Sequence, residues 1–152
     1  MPPTLAGFIA FIANVMAIPT GALPTNSPII PVAYNIALEF VNSALAAVPA
    51  IASVPSVYAL AVYNLAGDRL VRFAPDIPPQ TYFAELRKSL NLSSFVGGVI
   101  SSTSDNSTSE TLVVPDAMKG LTFADLATLQ TPWGRAYLGI AQGFGPTTWG
   151  IS

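Results

Sequence analysis

Asp105, Glu110 and Asp116 are the one loose group of carboxylates in this sequence. A calcium loop needs a dense run of oxygen ligands with a glycine at its turn. The stretch DNSTSE (residues 105–110) has no such glycine, so these acids read as solvated loop residues. Gly97-Gly98 has the flexibility to cradle an anion, but no basic residue stands near it, and it reads as turn chemistry. The chain has no His and no Cys. Histidine general bases, Ser-His-Asp triads, thiolate nucleophiles, disulfides and zinc fingers are thereby excluded. No Gly-x-Ser-x-Gly elbow, phosphate loop or dinucleotide glycine fingerprint occurs. The sequence therefore assigns no catalytic, cofactor-binding or metal-ligating residue, and an enzyme is not expected. Asn91-Leu92-Ser93 and Asn106-Ser107-Thr108 match the glycosylation acceptor pattern, which matters only in a secreted protein.

The elements that would carry any interaction are mostly helical. LAGFIAFIANVM (residues 5–16) reads as a short apolar helix, and Pro19, Gly21 and Pro24 break the stretch after it. Ser27-Pro28 is a start signal for a second helix, expected over residues 27–48. Asn35, Glu39, Asn42 and Ser43 give it one polar stripe, and most of its remaining circumference should be covered. Pro49 ends it. Ser56 starts SVYALAVYNLAGDRLVRF, in which Gly67 either ends the helix or only interrupts it. PDIPPQ (residues 75–80) is a loop, and TYFAELRKSL (residues 81–90) is a short amphipathic helix. Arg69, Arg72, Arg87 and Lys88 read as solvated helix faces, in preference to partners for a neighbour's acids.

Residues 94–114 change character to Ser, Thr and Val. Arms at about 99–103 and 107–114, on either side of Asp105-Asn106, read as a hairpin or a long polar loop. Thr122 with Asp125 three residues on restarts helical structure. Thr131-Pro132 repeats the signal, Thr as N-cap and Pro at the first helical position, for a last helix over residues 133–142. The fold class expected is mainly α: a helical bundle over residues 1–142 with a hairpin or loop excursion at about 97–114, then an extended tail, residues 143–152.

Composition points away from an isolated monomer. The 152 residues are 51% hydrophobic and 9% charged, against about 25% charged in an average soluble domain. The charged side chains all lie between Glu39 and Arg135, leaving both ends neutral. Such a surface sits in lipid or against other protein, and obligate interfaces resemble a core cut in half. Residues 41–65 carry no charge, but Asn42, Pro49, Pro55, Asn64 and the Ala/Ser bulk argue against a membrane span. Six Lys and Arg supply no basic stripe, so no sequence-specific nucleic acid is expected.

YALAVYNLAG, GGVISSTSDNSTSETLVV and TPWGRAYLGIA, in this order and spacing, resemble the head–tail connector (adaptor) proteins of tailed bacteriophages. The resemblance covers about residues 27–141 and leaves out the apolar N-terminal segment and the aromatic tail. It implies a helical virion subunit in the phage neck, made in the host cytoplasm. It further implies a ring, a dodecamer, docked on the portal protein, with a downstream neck or tail protein on its other face. No cofactor and no membrane belong to that role. A stopper, tail-terminator or decoration subunit, a small membrane-associated protein and a secreted binding module are the alternatives. If the chain is an adaptor, the tail is a docking strap; the competing reading is that it folds back on its own bundle. Phe144, Pro146, Trp149 and Ile151 are its anchors, because buried aromatics dominate interface energetics. Trp133 and Arg135 at the start of the last helix complete the expected partner-binding set. Core packing by Trp133 and Tyr137 is the competing role for that end of the helix.

Overall fold

The computed structural model describes residues 1–49, 54–92, 102–105, 108–111 and 127–144. Among them the chain is mainly helical. Helix α1 is Leu5–Asn14, α2 Ile29–Phe40, α3 Val57–Phe73, α4 Tyr82–Ser89 and α5 Pro132–Phe144, with a short 3-10 helix at Ser43–Ala47. Strands β1 (Ser102–Asp105) and β2 (Thr108–Thr111) pair antiparallel, Ser102 opposite Thr111 and Asp105 opposite Thr108. This ladder is shorter than the arms expected from the Ser/Thr/Val pattern, and residues 93–101, 106–107 and 112–126 lie outside the described residues. The glycine pair 97–98, Asp116, and the restart at Thr122 and Asp125 are among them.

Local chemistry explains the ends of the helices. Thr4 caps α1 by accepting from the Gly7 amide at 3.0 Å, and Ser56 caps α3 by accepting from the Ala59 amide at 3.1 Å. Helix α4 ends in a Schellman motif. Asn91 takes the left-handed conformation at φ 57°. The Leu92 N–H donates to the Arg87 carbonyl at 2.9 Å, and the Asn91 N–H to that of Lys88 at 3.1 Å.

Two expectations are corrected. The second helix stops at Phe40 and not at residue 48. Val41 turns extended, and Asn42 accepts from the Ala44 amide at 2.8 Å, starting a separate 3-10 turn. An Asn that bonds its own downstream backbone competes with helix continuation. Gly67 neither ends nor interrupts α3, which runs unbroken to Phe73. A Cβ at Gly67 would stand 3.0 Å from Met16 Sδ and 3.5 Å from Trp133 Cγ, so the glycine admits two side chains against the helix.

Helix α3 is the hub, with most of its residues buried, and α2 and α5 pack along it. Phe8, Phe11, Tyr34 and Tyr63 form an aromatic knot joining α1, α2 and α3. Phe8 is fully buried at its centre, and the ring centroids lie 5.8–6.5 Å apart. Burial, reinforced by Tyr63 and Tyr58, holds the Tyr34 phenol above its ordinary value. No helix among the described residues is long and apolar enough to cross a membrane. The uncharged stretch 41–65 holds the 3-10 turn, and α3 begins only at Val57.

Candidate interaction site

The start of α5 is set by the Thr131-Pro132 signal. Thr131 is fully buried, and its hydroxyl oxygen accepts from the Gly134 amide at 2.9 Å. The same hydroxyl donates to Asp68 Oδ1 at 2.5 Å across 63 residues of sequence. Asp68 is fully buried within α3 and also accepts from Arg72 Nε at 3.1 and 3.0 Å. The Arg72 guanidinium reaches on to the Ala127 carbonyl and, at 3.4 Å, to Gln130 Oε1. A buried carboxylate is thus matched by the Arg72 guanidinium and one hydroxyl, with Arg69 more distant at 4.0 Å, as burial of charge requires. Gly134 is needed beside it: a Cβ there would lie 1.8 Å from the Thr128 carbonyl oxygen.

These contacts also fix where α5 begins. Arg72 meets residues 127 and 130, Asp68 meets Thr131, and Gly67 faces Trp133. The start of α5 is thereby held beside Gly67 and Asp68, with residues 127 and 130 beside Arg72.

The basic residues read as solvated faces divide. Lys88 is exposed. Arg72 is mostly buried in the lock just described. Arg87 donates from Nη1 to the carbonyls of Val71 at 3.1 Å and Ala74 at 2.8 Å, closing the C-terminus of α3 and holding α4 to it. Arg69 stays partly exposed, 4.0 Å from Asp68. Asp76 gave no signal in the sequence, yet its two carboxylate oxygens accept from the Phe83 and Ala84 amides at 2.6 and 2.9 Å. It supplies the N-terminal cap of α4 from the PDIPPQ loop.

The expected partner-binding residues are dispersed. Trp133 is half-buried against the core, as is Tyr137. That is the packing role. Arg135 is exposed and donates to the Leu129 carbonyl at 3.0 Å. Phe144 is 54% exposed but belongs to α5, which runs through Gly143, so the helix ends two residues later than expected. Pro146, Trp149 and Ile151 lie outside the described residues.

One apolar row on α2 escaped sequence reasoning. Val32, Ile36 and Phe40 recur every four residues and are 50%, 37% and 69% exposed. This face was expected to be covered, and among the described residues it is not. A second feature is a groove of about 590 Å³ between α1 and α3, lined by Ala10, Phe11, Asn14, Leu60, Tyr63 and Asn64 among others. No cluster of three or more His, Cys, Asp or Glu that would hold a metal occurs among the described residues.

No protein-family description, curated protein or solved structure matches the chain.

Proposed function

We propose that this chain is a virion structural subunit, a head–tail adaptor that forms a ring with its copies and docks on the portal in the phage neck. The observation that carries the reading is the exposed row Val32, Ile36 and Phe40 on a chain only 9% charged. A ring gives every subunit two lateral neighbours, so such a face is covered by assembly. The polar lock of Asp68, Arg72 and Thr131 fits the same role, since it anchors the start of the helix from which the last residues follow. The order of YALAVYNLAG, GGVISSTSDNSTSETLVV and TPWGRAYLGIA supports the adaptor family in particular. In this reading Pro146, Trp149 and Ile151, with exposed Phe144, are the anchors that engage the portal.

Co-sedimentation with portal rings of the same virus tests it. The full chain should pellet with the rings. A chain lacking residues 145–152 keeps α5 complete, so it should retain its helicity and lose attachment. Trp149→Ala should weaken attachment by about 2 kcal/mol or more. A truncated chain that attaches as well as the full one overturns the docking role of the tail.

A further inference from the structure

The groove between α1 and α3 is unfilled by the described residues. Helix α1 lines it at Gly7, Ala10 and Asn14, and α3 at Leu60, Tyr63 and Asn64. Positions 7, 10 and 14, and likewise 60, 63 and 64, lie on one side of a helix, so one face of each opens onto the same trough. None of the lining side chains is charged, and the volume of about 590 Å³ is enough for several side chains. Asn64 is 9% exposed, and one of its amide hydrogens goes to the Leu60 carbonyl at 2.8 Å. Its side-chain oxygen and second amide hydrogen have no partner among the described residues. Buried carboxamides are ordinarily satisfied, so this wall calls for an occupant that hydrogen-bonds.

A row of matching length stands elsewhere on the molecule. Val32, Ile36 and Phe40 are exposed and recur every four residues, a ridge of the kind that seats in the groove of a facing helix surface. From Val32 to Phe40 the ridge runs about 12 Å, and from Gly7 to Asn14 the groove wall runs about 10 Å, at about 1.5 Å per residue. The ridge is apolar, and Asn35, exposed on its flank, carries the donor and acceptor that Asn64 lacks. Glu39, the one charge of α2, is exposed on the same flank, where an interface keeps its polar rim. The ridge does not reach the groove of its own subunit. Helix α2 packs its other side inward through Ile30, Ala33, Tyr34 and Ala37, and among the described residues none of α2 lines the groove.

We propose that the ridge Val32, Ile36 and Phe40 of one subunit seats in the α1–α3 groove of a second copy, with Asn35 bonded to Asn64 across the contact. Ridge and groove are different surfaces, so the contact is heterologous. Each subunit offers its ridge to one neighbour and its groove to the other, and copies add head to tail until the rotation closes a ring. This pairing rests on the assembly reading and adds the surface that receives the ridge.

The chain has no cysteine, so an introduced thiol is the only one present. Ile36 is the middle of the ridge and Ala10 the middle of the α1 wall, so the two come together whichever way the seated helix points. Full chains carrying Ile36→Cys or Ala10→Cys, both at exposed positions, are mixed and treated with a short bis-maleimide, alone and beside portal rings. The mixture should yield about tenfold more linked dimer than either chain by itself, since association concentrates the two thiols. A chain carrying both changes should give a ladder of linked multimers. Should either thiol disturb folding, Ala10→Lys gives a second readout: a charge in the groove wall should abolish ring assembly on the portal, as Ile36→Ser does. Rings that form on the portal without the mixed linkage, linkage as strong in the Ile36→Cys chain alone, or assembly indifferent to Ala10→Lys overturns the pairing while attachment to portal stands. A chain that stays monomeric beside portal rings at every concentration overturns both the pairing and the adaptor reading.

Discussion

Among single residues, small polar groups and strained positions decide where helices begin and end. Asp76 is the sharpest case, since both of its oxygens serve the amides opening α4. Asp76→Ala should lower stability by about 1–2 kcal/mol, read as a fall in the denaturant midpoint without a change in slope. Ala17 sits at φ 53°, in the left-handed region where a Cβ is costly. Ala17→Gly should raise stability by up to about 1 kcal/mol in the same measurement, the relief of strain being partly offset by unfolded-state entropy. Tyr34 gives a pH dependence. Its phenol is held above the ordinary value in the folded chain. The unfolded chain therefore ionises first, and stability should fall as pH rises past about 10. A denaturation series from neutral to alkaline pH, compared with Tyr34→Phe, reads that slope.

Among the helices, the decisive feature is the lock between α3 and α5. Asp68→Ala leaves the Arg72 guanidinium buried without its carboxylate and should cost about 3–5 kcal/mol. Asp68→Leu combined with Arg72→Met removes both charges and should cost clearly less than the two single changes added together, as a double-mutant cycle in urea would read. Much of this architecture is legible in the sequence because it rests on local signals. Ser56 as cap, Thr131-Pro132 as helix start and the amphipathic spacing of residues 81–90 each act within a few positions. The lock was not legible. Asp68 and Arg72 at i, i+4 look the same whether they face water or the core, and only the packing of residues 127–131 buries them. Gly67 was ambiguous for a related reason: a glycine that admits Met16 and Trp133 reads locally as a helix breaker. Asn42 ended α2 early through a side-chain bond that a tally of apolar positions does not contain. The apolar row on α2 was visible as residues, but the sequence could not tell which neighbours fail to cover it.

Across the molecule, a hub helix buried on nearly all sides coexists with an outer face that remains apolar. Inside, the aromatic knot is stacked, and the fully buried Asp68 is matched by Arg72 and Thr131. The exposed apolar row Val32, Ile36 and Phe40 lies on the outside. Changes there should leave folding intact and alter association, the opposite of changes in the lock. The decisive measurement is sedimentation velocity of the full chain with portal rings, beside an Ile36→Ser/Phe40→Ser variant of equal thermal stability. Wild-type subunits should form a discrete closed ring on the portal, and the variant should stay unassembled. A wild-type chain that stays monomeric beside portal rings at every concentration, or a variant that assembles as readily, would contradict the ring reading.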